Sequence, residues 1–324
     1  MTIKFALLGA GRIGKTHAEA INNNPDSMLS AVYDPFEDAA NAISQQYDCA
    51  IRSLDEITNS DDIDAVAICT PTNTHADLIE KYAHAGKAIF CEKPIDLSLE
   101  RVQSCLKTVE ETGAKLMIGF NRRFDPHFQS VYEAISRGDV GDVEQVVITS
   151  RDPDLPPMDY ISVSGGIFRD MTIHDFDMAR FLLGEEIESV FATGSVLVNP
   201  EVGERGDIDS AMVIMRTKSG KLAHINNSRR STYGYDQRIE VHGSKGMVRA
   251  HNPRPVVSEI ASANGYQSVP LHDFFMTRYT EAYAAEICGF VASLKDNAPL
   301  NPTGHDGLMA LTLAEAAIKS YETG

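Results

Sequence analysis

Three groups of residues in this sequence have types and spacings that can do chemistry. The first is Gly9-Ala10-Gly11-Arg12-Ile13-Gly14, a G-x-G-x-x-G run between the apolar stretch Phe5-Ala6-Leu7-Leu8 and a segment of helical pattern from Ile13. In that setting Gly9 permits a tight turn, Gly11 lets the backbone approach a pyrophosphate, and Gly14 lets helix pack closely on strand. The helix N-terminus adds free N–H groups and the positive end of a dipole. Asp34 follows the second strand-like run, Leu29–Tyr33, where a carboxylate can accept from both ribose hydroxyls and would repel a 2′-phosphate. Pro35, next to it, offers neither a positive charge nor an N–H. The pattern predicts a dinucleotide site that favours NAD over NADP, with helix capping as the other role open to Asp34.

The second group is Cys91-Glu92-Lys93-Pro94, at the end of the fourth strand-like run. Ligands of open α/β sheets bind at the carboxyl ends of the strands, so Lys93 there would lie near a nicotinamide. A lysine before a turn is also, ordinarily, a solvated charge. The third group lies in Gly165-Gly166-Ile167-Phe168-Arg169-Asp170-Met171-Thr172-Ile173-His174-Asp175-Phe176-Asp177. A helix from about Asp170 puts Asp170, His174 and Asp177 on one face. Such a stripe is an exposed face, a cavity lining or a set of metal ligands; no H-E-x-x-H and no cysteine partner accompanies it, and no metal is expected.

The elements that must position these groups follow from the hydrophobic pattern. From Lys4 to about Gly119, apolar runs alternate with amphipathic segments, which predicts a parallel, doubly wound sheet covered on both faces. After about Asn121 the rhythm changes: a helix at Pro126–Ser136, a strand at 143–149, a Pro-rich loop, a helix at Asp170–Leu183, and then successive strands at 189–198, 210–216, 221–227, 237–242 and 247–250. Strands without intervening helices predict a largely antiparallel sheet, and helices at 274–294 and 304–321 end the chain. The expected architecture is a Rossmann dinucleotide-binding domain over residues 1–121 and an α+β domain over 122–324.

With 29 Lys+Arg against 46 Asp+Glu, the net charge of −17 argues against nucleic-acid or anionic-membrane partners and leaves a small, uncharged substrate as the better fit. The five cysteines show no C-x-x-C spacing, so neither a disulfide framework nor a structural zinc site is expected. No secretory leader pattern or long apolar stretch is present, and a cytoplasmic location is the expectation.

Taken together, Gly9–Gly14, Cys69-Thr70-Pro71-Thr72-Asn73-Thr74-His75, Glu92-Lys93-Pro94 and Asp170-x-x-x-His174 resemble the glucose-fructose oxidoreductase, inositol dehydrogenase and rhizopine-catabolism family over essentially the whole chain. Within it, the runs 164–180 and 227–238 are most similar to the inositol dehydrogenases. The resemblance implies NAD-dependent oxidation of a cyclic polyol, myo-inositol to its 2-keto product, with Lys93, Asp170 and His174 as the catalytic set. It implies cofactor contacts from Gly9, Ala10, Gly11, Arg12, Ile13, Gly14, Asp34, Pro35, Thr70, Pro71, Thr72, Asn73, His75, Glu92 and Lys93. It also implies polyol contacts from Lys93, Arg123, Asp170, His174, Asp177 and Tyr233, and an open second-domain sheet that joins subunits into a homotetramer. Other cyclic polyols or sugars, and a non-catalytic NAD-binding sensor, are the rival readings; intact Lys93, Asp170 and His174 argue against the sensor.

Overall fold

Strands that are apolar on both faces need cover on both faces, and the alternation of such strands with helices leads to a parallel sheet. The computed structural model, which describes residues 2–324, has this sheet, formed by β1 (Ile3–Leu8), β2 (Ser27–Tyr33), β3 (Ala50–Ile51), β4 (Ala65–Ile68), β5 (Ala88–Glu92) and β6 (Leu116–Gly119). Their order is β3-β2-β1-β4-β5-β6, with every pairing parallel. All of β4 and β6 is buried, and β5 is buried after its first residue. The order reverses at β1, and the phosphate loop follows that strand, as expected for a switch-point site. β3 had no strand signal because it is two exposed residues long.

The chain forms two compact units, Met1–Phe124 with Thr280–Leu311, and Asp125–Tyr279 with Thr312–Gly324. A single cut after residue 121, with all later residues in the second domain, is therefore corrected: the segment 280–311 folds with the dinucleotide unit. The reason is apolar burial. Helix Thr280–Asp296 buries Ala282, Tyr283, Ile287, Phe290 and Val291, and Phe290 meets Phe5 and Phe90 at ring-centroid distances of 5.9 and 6.0 Å.

In the second unit β7 (Val143–Arg151), β8 (Ile187–Ser195), β9 (Ser210–Thr217), β10 (Leu222–Ser228), β11 (Asp236–Gly243) and β12 (Gly246–Ala250) form one sheet ordered β12-β11-β7-β10-β9-β8. Only β7 and β10 run parallel; the other neighbours are antiparallel, so the sheet is mostly antiparallel, as the consecutive strands predicted. Helix Thr172–Leu183 packs on β7 and β10. β9 alternates buried and exposed residues along its length, and its register places Phe191, Ile214, His224, Val147 and Glu240 in one row across five strands. Phe191, Met212 and Ile214 are each just over half exposed.

The single helix expected over 170–183 is two: Gly166–Asp170 and Thr172–Leu183, joined through Met171. Gly165 and Gly166 both have positive φ (84° and 85°), which only glycine adopts readily, and Asp207 accepts the Ile167 N–H at 3.0 Å. The hairpin Glu259–Ser262/Gly265–Ser268 is exposed at all eight residues and carried no usable pattern. Among the described residues, no helix is long and apolar enough to cross a membrane.

Candidate active site

In the phosphate loop each glycine does what its position demanded. Gly9 has φ +94°, and a Cβ there would lie 2.6 Å from the Cys69 carbonyl oxygen; a Cβ on Gly14 would lie 2.0 Å from the Gly9 carbonyl oxygen. A Cβ on Gly11 would meet nothing within 4 Å, so the loop is open at that point. Helix Arg12–Asn23 begins there without any side-chain cap, leaving its first N–H groups directed to an incoming phosphate. These features fit a dinucleotide pyrophosphate.

Asp34 Oδ2 accepts the Ala10 N–H at 2.7 Å and Oδ1 accepts the Phe36 N–H at 2.9 Å. The next helix, Glu37–Tyr47, has Phe36 at its N-cap and no side-chain cap, so Asp34 is not the helix cap but a tie between the end of β2 and the phosphate loop. Each carboxylate oxygen keeps a further lone pair for a ribose hydroxyl. Pro35 is exposed beside it.

After β4, the turn Thr72–Thr74 is fastened by the Thr70 and Thr74 hydroxyls, 2.6 Å apart, and by Thr74 Oγ1 donating to the Pro71 carbonyl at 2.7 Å. Pro71 and Asn73 are exposed and Thr72 is half-buried. Two of the residues expected at the cofactor turn their side-chain polar atoms to other groups. His75 is buried, with Nδ1 2.8 Å from the Pro94 carbonyl and Nε2 2.7 Å from the Thr70 carbonyl; both ring nitrogens are used in stapling two loops, and none is left for a cofactor. Burial pushes its pKa down, and the two carbonyls act against that shift. The Glu92 carboxylate is likewise turned inward, with Oε1 2.6 Å from Nε2 of the fully buried His17. Lys93, the next residue, is half-buried at the carboxyl end of β5.

The second unit holds the acidic and imidazole groups. Asp170 closes the short helix, and its carboxylate accepts from the Tyr160 hydroxyl at 2.8 Å (Oδ1) and from Arg229 Nη2 at 3.2 Å (Oδ2). Arg229 is 1% exposed, and its backbone N–H donates to the Asp209 carbonyl at 2.8 Å. Burial, then the charge of Asp170, pushes the Tyr160 hydroxyl pKa up, so it stays a donor. His174 and Asp177 lie one turn apart on helix Thr172–Leu183; His174 is half-buried and Asp177 buried. Between them, Asp175 accepts from Asn227 Nδ2 at 2.8 Å, and Thr172 Oγ1 is 2.6 Å from Asn227 Oδ1, fastening the helix to β10. Tyr233, half exposed, donates to Asp236 at 2.6 Å and accepts from Arg151 at 2.9 Å. Tyr160 and Arg229 were not among the expected site residues.

Arg123, expected at the polyol, belongs to the first unit. It is buried, and its guanidinium donates to Asn301 Oδ1 at 2.6 Å and Asp306 Oδ1 at 2.9 Å. Burial raises the Asp306 carboxyl, but Arg123 and the Thr303 donors outweigh it and hold the pKa at about 2. Arg123 therefore has an anchoring role that the sequence did not suggest. Among the described residues, no three His, Cys, Asp or Glu side chains are grouped to hold a metal.

Residues 3–120 match the family described as "Oxidoreductase family, NAD-binding Rossmann fold", and residues 128–249 match "GFO/IDH/MocA C-terminal domain". An inositol 2-dehydrogenase of Rhizobium meliloti (strain 1021) is 65% identical over 320 residues, covering 99% of this chain and 97% of that protein. A myo-inositol 2-dehydrogenase of Thermotoga maritima is 45% identical, covering 99% and 96%. The crystal structure of scyllo-inositol dehydrogenase from Lactobacillus casei with bound NAD(H) and scyllo-inositol superposes with a TM-score of 0.92 at 29% identity, covering 99% of this chain and 97% of that one. With a phosphate loop that fits the dinucleotide and full-length relatives of this kind, the chain belongs to the GFO/IDH/MocA family of NAD-binding oxidoreductases.

Proposed function

We propose that the chain is an NAD-dependent inositol 2-dehydrogenase that oxidises myo-inositol to 2-keto-myo-inositol (scyllo-inosose), with Lys93, Asp170 and His174 as its catalytic set. The observation that carries this reading is the 65% identity, end to end, with an inositol 2-dehydrogenase. The site chemistry supports it. When bound, NAD accepts the carbinol hydride at C4 of its nicotinamide. The residues Gly9–Gly14, Asp34 and Pro35, with Thr70–Asn73, would hold it.

An alcohol is too weak an acid to lose its proton unaided. His174 takes that proton as a neutral imidazole, the side chain best matched to general-base work near neutrality. The Lys93 ammonium donates to the same oxygen and stabilises the alkoxide character that develops as the C–H bond breaks. Asp170 supplies a fixed negative charge that favours the imidazolium; Tyr160 and Arg229 keep its carboxylate from rotating. Asp177, Arg123 and Tyr233 are the proposed partners of the remaining ring hydroxyls, which must be held for one carbon to face the nicotinamide. The test is NADH formation, followed at 340 nm, with a panel of myo-inositol, scyllo-inositol, glucose and other pyranoses. A clear preference for scyllo-inositol or a sugar overturns the substrate, and no turnover of any polyol alongside NAD binding overturns the enzyme.

Asp34→Ala is expected to weaken NAD about tenfold or more, the scale of lost charge-assisted hydrogen bonds, while NADP, relieved of the repulsion on its 2′-phosphate, binds no more weakly than before. Fluorescence titration with NADH and NADPH checks this, and an unchanged ratio of the two affinities removes Asp34 from ribose recognition.

The proposed assembly is a homotetramer joined through the exposed face of the second-unit sheet. Phe191, Met212 and Ile214 are large apolar side chains on adjacent strands with no cover in the single chain, and patches of that kind mark interaction surfaces. Ile214→Lys is expected to shift the light-scattering mass from tetramer to a smaller species, and a variant that stays tetrameric places the interface elsewhere. The proposed compartment is the cytoplasm, supported by five cysteines that form no disulfide.

A further inference from the structure

Behind Lys93, within the first unit, lies a buried cluster of titratable groups that no step above uses. Glu92 ends β5, and its carboxylate occupies the space over Gly119, where a Cβ would come within 3.1–3.2 Å of it. One oxygen lies 2.6 Å from His17 Nε2; the other accepts the Lys93 N–H at 3.3 Å. His17 sits on the phosphate-loop helix, fully buried, its ring 4.8 Å from Phe90 and edge-on to Tyr283 at 5.5 Å. It has no freedom to swing away. Glu286, one turn beyond Tyr283, is also fully buried, and neither of its oxygens has a hydrogen-bond partner.

Two carboxylates in one apolar pocket cannot both be charged. Glu92 has the imidazole and a backbone N–H as hydrogen-bond partners, and Glu286 has neither. Burial, then the charge of Glu92, raises the Glu286 carboxyl well above the usual range, so it remains protonated. The Glu92 carboxyl is held between the phosphate-loop helix, through His17, and the backbone N–H of Lys93. Burying a polar group costs unless it is hydrogen-bonded, and an apolar side chain would fill the end of β5 at lower cost. A buried carboxyl in that position is accounted for by what it fastens.

We propose that His17 and Glu92 are a positioning pair that sets Lys93 in register with the phosphate-loop helix, so that seating the dinucleotide and aiming the ammonium are one rigid act. The proposal rests on the reading of Lys93 as the group that polarises the substrate alcohol. Its experiment uses the full-length protein with His17→Leu, which removes the donor, and His17→Gln, whose amide can still donate to Glu92. In His17→Leu, kcat is expected to fall about tenfold or more, the scale of a small misplacement of a catalytic group, while KM for NAD stays within about twofold; His17→Gln is expected to restore most of the loss. The rate at which trinitrobenzenesulfonate modifies Lys93, read by mass spectrometry of its peptide, is expected to change several-fold in His17→Leu and to return in His17→Gln. A lowered Tm with unchanged kcat per folded molecule and unchanged labelling overturns the pair's role and makes it merely structural. The labelling arm needs no substrate. It decides the positioning role even if the wild type turns over no polyol, a result that would instead overturn the dehydrogenase reading.

Discussion

His174→Ala is expected to reduce turnover of the polyol about 100-fold or more, while the dissociation constant for NAD stays at its wild-type value. The magnitude is that of general acid–base catalysis, in which a positioned side chain contributes roughly 10²–10⁴-fold. The selectivity follows from where the residue belongs: His174 is on helix Thr172–Leu183 of the second unit, and the phosphate loop and Asp34 are in the first. The variant leaves the fastening of that helix intact, since Thr172 and Asp175 bond Asn227 independently of the imidazole. Stopped-flow NADH formation and a calorimetric NAD titration measure the two quantities. Near-normal turnover removes His174 from the mechanism, and a parallel loss of NAD affinity points to a damaged fold. Lys93→Arg should fail to replace the lysine, because a planar guanidinium cannot put a compact charge at the same point.

The second large effect concerns stability. Glu286→Gln is expected to stabilise the protein increasingly as pH rises above about 5, toward the raised pKa of the folded state. The sign follows from proton counting. The Glu286 carboxyl is raised in the folded state, so over this interval the folded chain holds a proton that the unfolded chain, with an ordinary glutamate near 4.3, has released. Stability is therefore full below the unfolded pKa and declines as pH rises toward the folded one, by about 1.4 kcal/mol per pH unit for one such group. Glutamine fills the same space with no proton to lose, which removes this slope. Cys69, raised chiefly by burial and then by Glu92 and Glu286, is protonated in both states below pH 8 and does not contribute. Urea unfolding of wild type and variant at pH 5, 6, 7 and 8 tests this; parallel curves would show that Glu286 is not the group holding the proton.

The dinucleotide half was legible because its signals are local. The three glycines of the loop sit at fixed spacing within one strand-turn-helix unit, and strands buried on both faces are apolar throughout. What escaped was decided at long range. Arg229 lies in a run similar to the inositol dehydrogenases, but nothing in the sequence says that a strand-end arginine is buried and turned to an aspartate 59 positions earlier. For His75 and Glu92 the resemblance implies cofactor contact, while their inward hydrogen bonds depend on Pro94, Thr70 and His17, partners that no local pattern reveals. The break at Met171 was hidden by an unbroken helical pattern. Glu286 did leave a trace: it shares a helix face with Ala282, Tyr283, Ile287 and Phe290, and a carboxylate on an otherwise apolar stripe marks a buried charge or a buried proton.

The return of residues 280–311 to the first unit has a consequence for biosynthesis. When the first 124 residues have emerged from the ribosome, the strands of the parallel sheet are complete, yet the Phe290 that covers Phe5 and Phe90 and the Tyr283 that flanks His17 are still to be translated. The nascent dinucleotide unit waits, with part of its apolar surface open to water, until more than 150 further residues have been added. Domain-by-domain folding during synthesis, the usual course for a two-domain chain, is thereby replaced here by closure of the first unit only after residues 125–279 have been made, and that half-covered sheet is the stage of this protein's life at which a chaperone has most to protect.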